Sequence, residues 1–230
     1  MLESASMTSA PPVRCAIFDL DGVLLDTEPL YTEAVAGVAA RFGKVYDWSV
    51  KAECIGRGTL EAASIIVTAL ALPLTPVELI RERDLTLLRL FATARAMPGA
   101  EVFTRALGRR GVPMAIATST EARLYETKAA PHRAWLSTFD ALVCGDDPRV
   151  ARPKPAPDIF LAAAASLVAE PAECIVFEDS PFGMAGALAA GMRVVALPDP
   201  AMDRARYAGA QVIAAGFSEL ALDALGFPPA

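Results

Sequence analysis

Six short apolar runs recur along this 230-residue chain: CAIFDLDG (from Cys15), PMAIATST (Pro113 to Thr120), ALVCGDD (Ala141 to Asp147), ECIVFEDS (Glu173 to Ser180), RVVALPD (Arg193 to Asp199) and AQVIAAG (Ala210 to Gly216). Runs this short and apolar read as strands buried on both faces. Helix-like segments lie between the later ones: Ala100 to Arg110, Pro157 to Val168 and Pro181 to Ala190. Strands alternating with helices predict a parallel α/β sheet covered on both sides. One stretch, Glu28 to Ala96, breaks the rhythm and shows no strand. There, apolar residues at three- and four-residue spacing predict helices over Leu30 to Phe42, Thr59 to Leu72 and Thr75 to Thr93. Thr75, followed by Pro76 and Glu78, is a helix start. The expected division is a sheet-bearing core, residues 1–27 and 97–230, interrupted by a helical domain, 28–96.

Composition narrows the partners. With 54% hydrophobic and 21% charged residues, the chain can bury a sizeable core. The formal net charge of -6 disfavours a nucleic acid partner. Four cysteines without a CxxC pair, and a single histidine, His132, make a zinc site a poor expectation and suggest buried thiols in a reducing compartment. Residues 1–12 read as a polar lead-in without signal-peptide character. The uncharged stretch from Ala62 to Val77 carries Pro73 and Pro76 and is too short to span a bilayer. The expectation is a soluble, cytoplasmic monomer with no membrane partner.

In open α/β sheets, ligands bind beyond the carboxyl ends of the strands. Four runs end there in reactive groups: Asp19 and Asp21; Thr118 and Ser119; Asp146 and Asp147; Glu178 and Asp179. A lone carboxylate at a strand end is usually a loop acid or a helix cap. Several converging on one edge repel one another unless a cation neutralises them. Oxygen ligands without His or Cys favour a hard ion, and Mg²⁺ fits.

DLDGVLLDTE (Asp19 to Glu28) resembles the signature of the haloacid dehalogenase superfamily. IATST, RPKPAPDIF and FEDSPFGMAGALAAGM follow in the superfamily's order, and the match runs from about Val13 to Pro200. The resemblance implies a Rossmann-like core with an inserted α-helical cap. It also implies a Mg²⁺-dependent phosphatase acting on a small phosphorylated metabolite. RFGKVYDWSVKAECIGRGTLEAA, MPGAEVFTRAL and FDALVCGDDPRV narrow it to a subgroup of pseudouridine-5'-phosphate, glycerol-3-phosphate and flavin mononucleotide phosphatases. Carried over residue by residue, Asp19 is the nucleophile that forms an aspartyl-phosphate. Asp21 is the general acid and base, Thr118 a phosphate-binding hydroxyl and Lys154 the cation. The carboxylates of Asp19 and Asp179 and the carbonyl of Asp21 would hold Mg²⁺, with Glu178 in or beside that set. Ser119 and Thr120, at an expected helix start, would bind substrate phosphate. One departure is Pro153, which stands where the family often has glycine before the lysine-proline pair.

Candidate substrate contacts in the cap are Glu28, Arg57 and Glu61, with Arg57 between Gly56 and Gly58. Gly22 is expected to permit a tight bend behind Asp21. Gly183 and Gly186 are expected to serve packing, His132 to be partly packed, and Trp48 and Trp135 to sit in packed surroundings. Two alternatives share these motifs. A hexose-phosphate mutase would return the phosphoryl group to sugar, and a non-catalytic binding protein would retain only the fold.

Overall fold

A computed structural model describes residues 12–55 and 57–229. The lead-in over 1–11 and Gly56 lie outside the described residues. The main elements, in chain order, are β1 (Cys15–Phe18), β2 (Leu25–Asp26), α1 (Glu28–Ala40), α2 (Trp48–Cys54), α3 (Thr59–Leu70), α4 (Pro76–Leu90), β3 (Arg95–Ala96), α5 (Ala100–Arg109), β4 (Met114–Ala117), α6 (Ala122–Ala129), α7 (Arg133–Leu136), β5 (Ala141–Val143), α8 (Asp158–Ser166), β6 (Cys174–Glu178), α9 (Pro181–Ala189), β7 (Arg193–Ala196) and β8 (Val212–Ile213).

Six strands form one sheet in the order β5-β4-β1-β6-β7-β8. Every pairing in it is parallel. The order reverses at β1, which pairs with β4 on one side and β6 on the other. Sheets of this kind open a crevice at that reversal, beyond the strands' carboxyl ends. Alternation along β1 divides the interior into two layers. Ala16 and Phe18 face a cluster with Phe103, Trp135, Phe177 and Phe217, whereas Cys15 and Ile17 face one with Phe160, Ala163, Val176 and Val194. Phe18 stacks on Phe177 of the neighbouring strand at 4.5 Å between ring centroids. All four cysteines carry free thiols.

The segment between β2 and β3 folds as four helices with a small core of their own, built from Val35, Val38, Ala63, Ile66, Leu72 and Leu79. Thr75 starts α4 with a reciprocal cap: its Oγ1 accepts from the Glu78 N–H at 3.2 Å, and its own N–H donates to Glu78 Oε2 at 2.7 Å. The structure adds two features to the sequence reading. Trp48–Cys54 is a helix, capped by Asp47. Arg95–Ala96, within the stretch read as strand-free, pairs antiparallel with Leu25–Asp26. This two-residue ladder ties together the two connections between sheet and helical insert. Among the described residues, no helix is long and apolar enough to cross a membrane.

Replacing Thr75 by alanine removes the cap. Thr75→Ala is expected to lower unfolding free energy by about 0.5–2 kcal/mol, measured by urea denaturation.

Candidate active site

The two central strands determine the site's layout. Phe18 and Phe177 are register partners, so Asp19 and Glu178 each follow one step beyond a paired phenylalanine. Asp19 is held there by its N–H, which donates to the Phe177 carbonyl at 3.0 Å. Thr118 follows β4, its N–H bonded to the Val143 carbonyl at 3.0 Å. Backbone bonding of the sheet therefore brings three separate chain segments to one edge. Ligand oxygens of Asp19, Glu178 and Asp179 lie within 4.8 Å of one another.

Lys154 enters this cluster from the loop before α8. Its side chain is 3% exposed. Its Nζ lies 3.0 Å from Asp19 Oδ1 and 2.6 Å from Glu178 Oε1, and it donates to the Ala117 carbonyl at 3.3 Å. The other Glu178 oxygen accepts from the Ser180 N–H at 2.9 Å and the Ser180 hydroxyl at 3.0 Å. Glu178 is thus consumed by Lys154 and Ser180. Asp19 Oδ1, although paired in charge with Lys154, is buried and receives no well-aligned hydrogen bond. An under-bonded carboxylate oxygen beside a second carboxylate, with oxygen donors alone, fits a hard divalent cation. Asp19 and Asp179 are the side chains with capacity to hold one.

Charge crowding shows in proton affinity. Burial pushes the Asp19 carboxyl up to about 7; Lys154 opposes this, while Glu178 and Asp21 reinforce it. Asp179 is raised well above the usual carboxylate range, first by burial and then by Glu178 and Asp19. Asp21 behaves oppositely. Burial would raise it, but the Lys128 ammonium, with hydrogen bonds from Lys128, Thr27 and Thr120, holds it below its ordinary value.

A cavity of about 440 Å³ opens over this edge, within the range of small-molecule sites. Asp19, Asp21, Ser119, Thr120, Lys154 and Asp179 line its floor. Glu28, Tyr31, Tyr46, Lys51, Arg57 and Arg83 line it from the helical insert.

A model of the haloacid dehalogenase-like hydrolases matches residues 13–191. The chain belongs to that family. The hydrolase is 41% identical to the (DL)-glycerol-3-phosphatase 2 of Arabidopsis thaliana, over 93% of this chain and 91% of the relative. It is 39% identical to a probable pseudouridine-5'-phosphatase of Drosophila melanogaster, covering 94% and 95% of the two chains. The structure of a hydrolase from Deinococcus radiodurans with bound phosphate and sodium superposes with a TM-score of 0.77 at 26% identity, covering 96% of this chain and 100% of that one.

Sequence and geometry differ over several residues of the hydrolase. Thr120 precedes α6 rather than starting it, and its hydroxyl donates to Asp21 at 2.8 Å. Thr118 is buried, with its hydroxyl oxygen accepting the Thr120 N–H at 3.1 Å. Arg57 reaches the cavity wall but is engaged elsewhere. It pairs with Glu61 and Glu53 and lies 4.8 Å over the Phe182 ring of α9. Glu61 stands on the exposed side of that pair, outside the cavity lining. Glu28 does line the cavity, 3.4 Å from Lys51. His132 bonds the Ala94 carbonyl at 2.8 Å, and Trp135 donates to Thr104 at 2.8 Å, so both are structural.

The sequence reading missed Lys128, Tyr31 and Arg83. Lys128 is fully buried, with Nζ 2.7 and 2.8 Å from the two Asp21 oxygens, 2.8 Å from the Thr120 hydroxyl and 2.9 Å from the Tyr31 hydroxyl. A signal existed: Tyr125, Lys128 and Ala129 share one helical face by three- and four-residue spacing, and that face is buried.

Two glycines keep the acids where they are. Gly22 has φ of +75°, and a Cβ there would stand 2.3 Å from Asp179 Oδ2. A Cβ on Gly183 would stand 1.8 Å from Glu178 Oε1. Gly22→Ala is expected to destabilise by at least about 1–2 kcal/mol from the left-handed backbone alone, and to displace Asp179. Gly37→Ala, in a helix with open space around it, is the matched control and should not destabilise. Thermal unfolding of both variants checks this.

The raised Asp19 carboxyl also makes a signed prediction. The folded chain retains a proton up to about pH 7 that the unfolded chain releases near 4, so stability falls as pH rises through this window. In EDTA, Asp19→Asn is expected to exceed the parent in Tm above pH 7, with the gap closing toward pH 5. Calorimetry across that range measures it.

Proposed function

We propose that the hydrolase is a Mg²⁺-dependent phosphomonoesterase that cleaves a small phosphorylated metabolite through an aspartyl-phosphate on Asp19. The observation that carries this reading is the single ammonium of Lys154 set 3.0 Å from Asp19 Oδ1, beside Asp179, on the floor of the cavity. A phosphate monoester is anionic and repels a carboxylate nucleophile, so the site must supply positive charge and alignment. Lys154 supplies one charge. Bound between Asp19, Asp179 and the Asp21 carbonyl, Mg²⁺ would supply the rest by screening the phosphoryl oxygens.

In the first step an Asp19 oxygen forms a bond to phosphorus, the bond to the ester oxygen breaks, and Asp21 gives that oxygen its proton. In the second, Asp21 takes a proton from water as the water oxygen displaces Asp19, releasing phosphate. Thr118 and Ser119 would orient the phosphoryl oxygens, and Thr120 acts through Asp21. Glu178 holds Lys154 in place. The helical insert, residues 28–96, serves as a cap over the core formed by 1–27 and 97–230, because it lines the same cavity from above. A cytoplasmic setting, which the four free thiols support, and a monomeric state complete this reading.

The cap's charges bear on the substrate. Each cation it brings to the cavity is already paired: Lys51 with Glu28, Arg57 with Glu61, and Arg83 with Asp84 at 2.8 Å. That supports a neutral, hydroxyl-rich group beyond the phosphate, as in glycerol 3-phosphate, pseudouridine 5'-phosphate or a sugar monophosphate. A second phosphate reaching toward the cap would meet neutralised side chains.

A panel of these monophosphates, flavin mononucleotide and sugar bisphosphates, assayed for free phosphate with Mg²⁺ and with EDTA, tests the proposal. Turnover should require Mg²⁺, and Asp19→Asn should reduce it by at least about 10³-fold. Monophosphates should exceed bisphosphates by about tenfold or more in kcat/KM. Interconversion of sugar phosphate isomers without phosphate release would instead identify a mutase, and no Mg²⁺-dependent turnover across the panel would overturn the enzymatic reading.

A further inference from the structure

We infer that Lys128 is a positioning residue for Asp21, fixing the carboxylate that moves the proton in both half-reactions. This rests on the acid–base reading of Asp21 given above. Lys128 belongs to none of the four motifs, yet it is fully buried and on no path to solvent. A buried lysine is costly to fold around unless its charge is used. All of its polar contacts converge on one place: both Asp21 oxygens, and the hydroxyls of Thr120 and Tyr31 that surround them. Rings of Tyr31 and Phe91 enclose the ammonium at 5.0 and 4.8 Å, which leaves it no alternative anion.

The geometry around Asp21 is correspondingly complete. Oδ1 accepts from Thr27 and Lys128, and Oδ2 accepts from Thr120 and Lys128. Four hydrogen bonds from three donors to two oxygens specify one rotamer of the carboxylate. Thr27 comes from the turn before α1, and Thr120 from the loop after β4. Lys128 reaches across from α6 and is the one charged member of the set. Its bond to Tyr31, on α1, also connects Asp21 to the helical insert. Without Lys128 the two threonines remain, each able to hold one oxygen but not both.

The two half-reactions separate this role from a merely structural one. With p-nitrophenyl phosphate, the bond from Asp19 to phosphorus forms as the aryl oxygen leaves as a stable phenolate, so no proton is needed. The second step still needs Asp21 to take a proton from water. Lys128→Met, mixed rapidly with p-nitrophenyl phosphate and Mg²⁺, is therefore expected to release a burst of about one nitrophenolate per enzyme. Steady turnover should then fall by about 10²-fold or more, with KM within about threefold of the parent. A variant damaged only in structure would lose burst and turnover together.

The double variant decides the matter even if Lys128→Met folds poorly, because Asp21→Asn/Lys128→Met buries neither charge alone. It should turn over within about threefold of Asp21→Asn, since a residue acting through Asp21 has nothing left to position. A further loss larger than that, or near-parental steady turnover by Lys128→Met, overturns the inference. Near-parental turnover by Asp21→Asn would instead overturn the acid–base reading of Asp21.

Discussion

One buried ammonium decides whether this active-site edge can exist. Asp19, Glu178 and Asp179 crowd within 4.8 Å, and Lys154 is the cation among them. Two like charges about 4 Å apart repel by about 4 kcal/mol at an effective dielectric near 20. Lys154 sets one positive charge, shared between Asp19 and Glu178, against three carboxylates. Burial first, and then the uncompensated remainder, raises the proton affinity of Asp19 and Asp179. A parallel sheet is the frame that can hold such a cluster. Register between β1 and β6 fixes the acids' backbones, so repulsion cannot be relieved by moving them apart. What the fold cannot relax, a proton or a divalent cation must neutralise.

Glycine is the second requirement of that frame. Gly22 and Gly183 leave room where Asp179 and Glu178 lie against backbone. A side chain at either position would enter the cluster itself. The sheet sets where the acids start, and these two absent side chains set how closely the chain can wrap them.

The layout of the sheet was readable in the sequence because buried parallel strands are short, apolar and interrupted by helices of different period. Its edge was readable because three of the four motifs place acids or a hydroxyl at or just past strand ends, while the fourth brings Lys154 in from the loop before α8. What escaped has a physical reason in each case. Trp48–Cys54 buries none of its seven residues fully, so its apolar period is weak. Arg95–Ala96 is too short to show alternation. Arg57 read as a substrate contact because glycines flank it, yet Glu53 and Glu61 at four-residue spacing compete for its charge, and Phe182 comes from a distant segment. Lys128 escaped because lysine is ordinarily a surface residue, although it shares its inward-pointing helical face with Tyr125 and Ala129.

Lys128 and Lys154 together explain how two aspartates two residues apart can differ. Asp19 has one lysine that it shares with Glu178, and burial raises its carboxyl to about 7. Asp21 has a lysine to itself, with two threonine hydroxyls added, and its carboxyl is held below the ordinary value. Environments that push neighbouring carboxyls in opposite directions separate their tasks. A cation bound at Asp19 and Asp179 would draw Asp19 down as well and make it ionised for attack. Asp21 would not change in the same way, because its charge is already balanced from the opposite side. Asp21 in its bonded state is an ionised carboxylate, the form that accepts a proton from water. On the proposed reading Asp21 carries a proton in the first half-reaction, and Lys128, Thr27 and Thr120 hold one rotamer of its carboxyl in both.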